Sequence, residues 1–180
     1  MKKLLVFTVT AAMLLSLAAC AQSAKPAAEP EQTAQTETTE KTDTENVQIP
    51  NPWTDYDSQP DAAQAAGFDL TAPAEISGCA EKTYRVLNAD GDVMFEIIYA
   101  SGEDEVARVR KAPGADDVSG DYNEYAETES VDVDGVSVTI KGEGGLVSLA
   151  VWTTGDYSYA LSVEAAISQS DMAALAANIQ

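Results

Sequence analysis

The fold is decided by the stretch Tyr84–Ala100, which reads YRVLNADGDVMFEIIYA. Its central pair, Asp90-Gly91, is a strong signal for a two-residue hairpin turn, because both positions of such a turn favour a positive φ. Apolar residues recur on either side, which predicts strands from Tyr84 to Ala89 and from Val93 to Ala100. Both faces of the second strand are partly apolar, so we expect it in the middle of a sheet.

The same pattern continues further along the chain. Asp134-Gly135 predicts a second hairpin, between Val131 to Val133 and Val136 to Ile140. Period-two patterns bounded by turn residues predict three more strands, at Glu105 to Lys111, Leu146 to Thr153 and Tyr157 to Val163. Together these segments predict about seven strands in an antiparallel meander of hairpins.

Two helices flank the strand region. The first is predicted by Ser58-x-x-Asp61, an N-cap signature, and ends at Gly67. The second begins at Ser168-x-x-Asp171 and carries one apolar stripe, formed by Met172, Leu175, Ala176 and Ile179. Because the strand Leu146 to Thr153 is apolar on both faces, we expect the two helices to cover the two faces. The predicted architecture for residues 51–180 is a single α+β domain, a curved antiparallel sheet with a short N-terminal helix and a C-terminal helix packed on it.

The N-terminus has the order of a bacterial secretory signal. Lys2 and Lys3 precede an apolar run of 14 residues, Leu4 to Leu17, and then Ala18-Ala19-Cys20. A helix of that length is roughly 21 Å long, shorter than the roughly 30 Å hydrocarbon core. Leu17-Ala18-Ala19-Cys20 resembles a lipobox, which predicts removal of residues 1–19 and a diacylglyceryl group on the Cys20 thiol. The alternative is an ordinary secretory signal followed by a chance cysteine.

Residues 20–50 contain almost no large apolar side chain. Alanine, threonine, glutamine, glutamate, proline and lysine dominate this segment, and such a composition cannot bury enough surface to offset its ordering entropy. We therefore predict a disordered tether with a root-mean-square reach on the order of 30 Å. The predicted location is the extracytoplasmic face of the cell membrane, with the protein held there by its lipid.

The chain is strongly acidic, with a net charge of −20. Loss of Lys2 and Lys3 with the signal would leave 8 basic side chains against 30 acidic ones, a net charge of −22. Such a charge disfavours nucleic acid and direct adsorption to anionic lipid, and favours cationic ligands, divalent metals or basic partners. The alternative is that the charge serves solubility alone.

The sequence contains no histidine. This excludes Ser-His-Asp and Cys-His catalysis and histidine-based zinc sites. If lipid occupies Cys20, then Cys79 has no partner for a disulfide, and we expect a small apolar residue there in preference to a reactive thiol. Glu96, which lies mid-strand among apolar residues, is the one acid considered for a carboxylate-based hydrolase, a distant alternative to a protein without enzymatic activity.

The richest polar segment is Asp116–Tyr125. Its oxygen-bearing residues alternate as they do in calcium loops, but Gly120 stands at the fourth position and Thr128 at the twelfth, so it is not an EF-hand. An irregular calcium site and a series of Asx-turns both remain open, and no cofactor is predicted. Aromatic rings beside acids also suit sugars or cationic peptides. The candidate binding residues are Trp53, Asp117, Asp121, Tyr122, Asn123 and Tyr125.

Other side chains have a structural interpretation. Trp152, Tyr157 and Tyr159 are expected to pack in the core. Arg108 and Arg110 share one strand face and are predicted to pair with acids of neighbouring strands.

Several motifs of residues 51–180 carry a family resemblance: Asn51-Pro52-Trp53, Ala66 to Leu70 with Pro73, Val109-Arg110-Lys111, Val118 to Tyr125, Val138 to Gly142, Ala150-Val151-Trp152 and Tyr157-Ser158-Tyr159. Together they resemble the bacterial lipoprotein domains of the family numbered as domain of unknown function 4367. The resemblance implies no reaction and brings no catalytic residues. It implies a Gram-positive cell, in which the lipoprotein faces outward from the cytoplasmic membrane.

The predicted function is a non-enzymatic binding or interaction module of the cell envelope. Its expected partners are the membrane, through the lipid, and a basic protein, peptide or cell-wall component. The alternative is a carrier or sensor of a small ligand or lipid, which needs an apolar cavity of some hundreds of Å³ under the sheet.

Overall fold

The computed structural model describes residues 51–180. Cys20, the predicted signal segment and the predicted tether lie outside the described residues. Within the described range, neither helix has the length and apolar character needed to cross a membrane.

This range forms an antiparallel sheet of eight strands and two helices, which confirms the α+β class. The elements are β1 (Trp53–Tyr56), α1 (Gln59–Ala66), β2 (Glu81–Ala89), β3 (Asp92–Ser101), β4 (Asp104–Pro113), β5 (Glu127–Val133), β6 (Val136–Glu143), β7 (Leu146–Thr154), β8 (Tyr157–Ser168) and α2 (Gln169–Ala176). The expected number of about seven strands was too low, because β1 is only four residues long and its alternation cannot be recognised in so short a segment.

The strand order is β1-β2-β3-β4-β8-β7-β6-β5. Strands β1 to β4 form one meander and β5 to β8 form another, and the two are joined where β4 pairs with β8. A single continuous meander was therefore the wrong prediction. The chain leaves β4 and passes the positions of β8, β7 and β6 before it begins β5 at the far edge.

Both predicted Asp-Gly hairpins are confirmed. The φ angles are 56° and 95° at Asp90 and Gly91, and 52° and 85° at Asp134 and Gly135. Two successive positive φ values are those of a type I′ turn, whose twist matches that of the flanking strands. These turns set the registers of β2 with β3 and of β5 with β6.

The helices cover one face of the sheet, which we call the core face. Ala62 of α1 and Met172 and Ala176 of α2 belong to the same buried cluster as Phe95 and Leu161. The expectation that the two helices lie on opposite faces was wrong, because each is only eight residues long. Helix α1 contacts the β1–β3 side of the sheet and α2 contacts the β5–β8 side. Each helix therefore covers only part of the core face, and both are needed to cover it.

Hydroxyl groups cap the N-termini of both helices. The Ser58 side chain accepts a hydrogen bond from the Asp61 backbone N–H at 3.3 Å, and Ser168 accepts one from the Asp171 N–H at 3.1 Å. These contacts satisfy amide groups that have no partner inside the helix.

The opposite face, which we call the outer face, is covered by the connection between β4 and β5. We call residues 114–126 the crossing loop. Its Val118 packs on Ala112 of β4 and Ala160 of β8. The outer face thus has a small second apolar cluster.

Candidate functional site

Glu96 lies on the outer face and its side chain has no solvent exposure. Oε1 accepts hydrogen bonds from Arg85, from Nε at 2.8 Å and also from Nη2. Oε2 accepts one from Arg110 Nε at 2.6 Å and lies 3.4 Å from Arg108 Nε. Since guanidinium groups engage both oxygens, Glu96 is an internal partner of three arginines.

We call Arg85, Arg108, Arg110 and Glu96 the arginine cluster. Its three arginines are half of the basic residues in the range 51–180. The predicted pairing of Arg108 and Arg110 with acids of neighbouring strands is confirmed, since both contact Glu96 of β3; Arg108 also binds Glu105 of its own strand at 2.5 Å. The cluster therefore gathers half of the basic residues of this range on the outer face of β2, β3 and β4.

Trp53 is part of this structural arrangement. Its ring lies 5.0 Å from the guanidinium carbon of Arg85 and 5.6 Å from that of Arg110. These cation–π contacts hold β1, the short edge strand, to the arginine cluster. Trp53 is half-buried and packs on the arginine cluster, whereas the other candidate binding residues all lie in the crossing loop.

Short hydrogen-bonded turns shape the crossing loop. Asp117 accepts from the Ser119 N–H at 2.8 Å, Ser119 Oγ accepts from the Asp121 N–H at 3.2 Å, and Asp121 accepts from the Asn123 N–H at 2.7 Å. The Tyr125 hydroxyl also donates to Asp121. These are the Asx-turns and the related serine turn that the sequence left open as an alternative to calcium. Residues 51–180 contain no group of three or more Asp, Glu, Cys or His side chains arranged to hold a metal ion. The calcium interpretation itself stays a prediction.

The loop is also fastened to the sheet near the start of its polar segment. Arg110 Nη1 donates to the Ser119 carbonyl at 2.6 Å, and Lys141 Nζ lies 3.5 Å from Asp117. Burial acts to raise the pKa of Asp117, but hydrogen bonds from Ser119 and the charge of Lys141 outweigh it, so the pKa lies below its usual value. The loop is thus held to β4 and to β6.

Tyr122 stands at the tip of this fastened loop with 97% of its surface exposed. Leu146, at the start of β7, is 47% exposed, and these two are the exposed large apolar residues of the range that the structure describes. Scattered exposed apolar residues are ordinary, but Leu146 lines a groove and Tyr122 directly precedes a residue that lines the same groove.

We call this depression the acidic groove. Its volume is about 620 Å³, and it lies between the end of the crossing loop and the ends of β6, β7 and β8. Leu146 lines it directly, and Tyr122 precedes the lining residue Asn123. Glu124, Glu143 and Glu164 all line it, are exposed, and form no salt bridge within residues 51–180.

The structure brings part of the predicted set together. Asn123 and Tyr125 line the acidic groove, Asp121 fixes the Tyr125 hydroxyl, and Tyr122 stands beside it. Asp117 lies at the other end of the loop, next to Lys141. Sequence reasoning missed the other lining residues, which include Glu124, Glu143, Leu146 and Glu164. The sequence did contain one signal for this groove: Leu146, a large apolar residue, follows directly after the glycine-rich segment Gly142-Glu143-Gly144-Gly145.

A second depression lies on the core face. Its volume is about 300 Å³, and it lies between the C-terminal end of α2 and strands β5 to β8. Its apolar walls include Val136, Val138, Trp152 and Ile179. The Trp152 ring stacks on Tyr159 with centroids 5.4 Å apart, so the predicted core packing of these two aromatic residues is confirmed.

Lys111 is a buried charged residue on the core face. Its Nζ donates to the Asp69 carbonyl at 2.6 Å and lies 4.6 Å from the Tyr157 ring, 5.2 Å from Tyr159 and 5.7 Å from Phe68. Burial lowers the pKa of Lys111 below its ordinary value. The ammonium group holds the segment after α1 to the sheet and lies on the face opposite the arginine cluster.

Comparison with known proteins found no matching family model, no matching curated protein and no matching solved structure.

Proposed function

We propose that the protein is a lipoprotein of the extracytoplasmic membrane face, and that its folded part is a non-enzymatic module binding a basic segment of a protein or peptide in the acidic groove. One observation carries the proposal. Three carboxylates without an ion-pair partner in the described residues line the same groove as Leu146, beside the fully exposed Tyr122.

The chemistry of the groove favours an amphipathic cationic segment. Lysine or arginine side chains would meet Glu124, Glu143 and Glu164, and their aliphatic stems would lie along Leu146 and Tyr125. Tyrosine and leucine supply the apolar area that a polar groove lacks, and tyrosine is enriched among residues that dominate binding energy. The net charge of −20 adds long-range attraction for such a partner.

The crossing loop supports binding through its internal order. Hydrogen bonds from Ser119, Asp121, Asn123 and Tyr125 fix the backbone on either side of Tyr122 before any partner arrives. A loop that is already ordered loses less conformational entropy on binding. Tyr122 is therefore presented to a partner by a backbone that is already ordered.

The membrane anchor completes the proposed arrangement. A lipid on Cys20 and a tether over residues 20–50 would hold the groove at a reach on the order of 30 Å from the bilayer, on the extracytoplasmic side. Labelling with a radioactive fatty acid, with Cys20→Ser as the control, tests this part: the wild-type chain should be labelled and the variant should not.

A second candidate function rests on the core-face depression. Its volume of about 300 Å³ lies at the lower end of small-molecule sites and its walls are apolar, which favours a small ligand over a lipid. We place it second because Trp152 and Tyr159, its aromatic wall, are almost completely buried against each other.

The groove proposal is tested with a 12-residue peptide of alternating lysine and threonine, titrated into the full chain in neutral detergent. The variant replaces Glu124, Glu143 and Glu164 by glutamine. We expect its Kd to rise about tenfold or more, which corresponds to roughly 1.4 kcal/mol.

The matched control carries Glu81→Gln, Asp92→Asn and Glu103→Gln. These acids are exposed outside the groove and their replacement makes the same change in net charge. We expect a Kd within about twofold of wild type, because long-range attraction alone changes little with three remote charges. Equal weakening by both triple variants would show unspecific charge attraction and contradict the proposal.

A further inference from the structure

We propose that the basic partner binds as an added β-strand along the free edge of β5. The inference rests on the proposed function for the charge of the partner and adds its conformation and its place on the sheet. Within residues 51–180, β5 pairs only with β6, so one edge of this strand has no neighbour.

The β5 edge has the regularity that strand addition needs. It runs seven residues, Glu127–Val133, without a proline, and its pairing with β6 has no register shift. Proteins commonly protect long edges with bulges, prolines or very short strands. β1, at the other edge, is such a short strand, whereas β5 has none of these features.

The type I′ turn at Asp134-Gly135 fixes which backbone groups of β5 face outward. In a two-residue hairpin the flanking pair, Val133 with Val136, exchanges both hydrogen bonds, and bonded pairs then alternate along the ladder. Val131 and Glu129 therefore form backbone hydrogen bonds with their β6 partners, Val138 and Ile140. The N–H and C=O groups of Thr128, Ser130 and Asp132 point away from the sheet and are available to a partner strand.

The charges of this edge select the partner. Glu127, Glu129 and Asp132 are exposed acids on β5. Antiparallel pairing with a second copy of β5 would bring six acids to one seam without a basic side chain to pair with any of them, since β5 contains no lysine or arginine. A strand that carries lysine or arginine would instead form cross-strand pairs of opposite charge, so charge complementarity favours a basic partner over self-association.

The edge is continuous with the acidic groove. Ala126, which lines the groove, directly precedes Glu127, and Glu143 at the end of β6 is another lining residue. An extended segment of 12 residues is about 40 Å long, enough to follow β5 and continue into the groove. The two surfaces would therefore bind one continuous peptide.

Two variants at Ser130 test strand addition with the lysine–threonine peptide. Ser130→Pro removes one outward N–H, and an edge strand tolerates proline at such a position. Ser130→Ala is the control, because it also loses the Ser130–Ser137 hydroxyl contact of 2.8 Å but keeps the N–H. We expect the proline variant to lose about tenfold in affinity or more, and the alanine variant to stay within about twofold.

A second arm leaves the protein unchanged. The same peptide, N-methylated at alternate residues, cannot donate a continuous set of ladder hydrogen bonds, and we expect it to bind at least about tenfold more weakly. This arm decides the question even if Ser130→Pro unfolds, which circular dichroism would reveal.

The outcomes separate the two proposals. Strand addition is wrong if the N-methylated peptide binds the wild-type chain as tightly as the unmodified peptide does, and a folded Ser130→Pro variant binds the unmodified peptide as tightly as wild type does. In that case, weaker binding by the variant that replaces Glu124, Glu143 and Glu164 would still leave the proposed function standing. If the unmodified peptide does not bind the wild-type chain, the proposed function fails and the inference fails with it.

Discussion

Glu96 shows how one residue can organise a face of the sheet. A fully buried carboxylate is costly unless it is paired, and here three arginines from three positions of the outer face supply the partners. Alternation along the strands predicted that Arg108 and Arg110 share a face. It could not identify Glu96 as their common partner, because that depends on the pairing of β2, β3 and β4.

Glu96→Ala is expected to lower the free energy of unfolding by about 3–5 kcal/mol, since it leaves three guanidinium groups close together without their shared carboxylate. Urea denaturation measures the change. Glu105→Ala, which removes the partly exposed acid that pairs with Arg108, is the control and should cost about 1 kcal/mol or less. Equal costs for the two variants would show that the cluster has no central role.

Lys111 gives a prediction about pH. Burial lowers the pKa of Lys111 in the folded state below its ordinary 10.5, so the folded chain releases this proton before the unfolded chain does. Between the two pKa values the unfolded state binds more protons, and stability therefore rises with pH. Burial also raises the pKa of Tyr159, whose ring lies 5.2 Å from Lys111 Nζ, so the comparison is made with a variant that keeps the tyrosines and changes Lys111 alone.

We expect the free energy of unfolding of wild type, relative to Lys111→Met, to increase as the pH rises from about 8 toward 10.5. Denaturation in urea at a series of pH values gives this difference. A difference that stays constant over the range would show that the buried ammonium keeps its ordinary pKa.

At the scale of elements, the sequence predicted local features and missed non-local ones. The two Asp-Gly hairpins, the capping serines and most strands follow from neighbouring residues. The pairing of β4 with β8 and the placement of both helices on one face depend on contacts between distant segments. For the same reason, the acidic groove was only partly predictable: its loop residues are adjacent in sequence, whereas Glu143 and Glu164 come from separate strands.

Gly120 connects the crossing loop to the arginine cluster. Its φ is 64°, and a Cβ atom there would lie 2.5 Å from Arg110 Nη1, a group already held by the Ser119 carbonyl. Gly155, in the turn between β7 and β8, has a φ of 60° and nothing within 4 Å of its would-be Cβ. The two glycines therefore match in backbone strain and differ in crowding.

Gly155→Ala is expected to cost about 1–2 kcal/mol from the left-handed backbone alone. Gly120→Ala should cost more, because Arg110 must also move away from the loop. Urea denaturation of both variants measures the difference, and amide exchange over residues 117–123 should rise only in the Gly120 variant. Identical costs would indicate that the loop is not held by Arg110.

At the scale of the whole molecule, the two faces of the sheet differ in burial and in charge. The core face buries the helices, while the outer face holds most of its positive charge in internal ion pairs and leaves the acids of the groove and of the β5 edge without such partners. The groove and the β5 edge together contain six exposed acids that form no salt bridge within residues 51–180, while others, such as Glu81, Asp92 and Glu103, lie elsewhere on the domain. Absence of histidine, read from the sequence alone, supports the proposal of binding over catalysis.

The most direct measurement of the central claim is residue-by-residue mapping of amide chemical shifts in the full chain during titration with the lysine–threonine peptide. The account predicts changes concentrated at residues 122–132, 142–146 and 164–166, and no changes with a glutamate–threonine peptide of the same length. Changes spread over all exposed acids, or centred on the depression beneath α2, would contradict it.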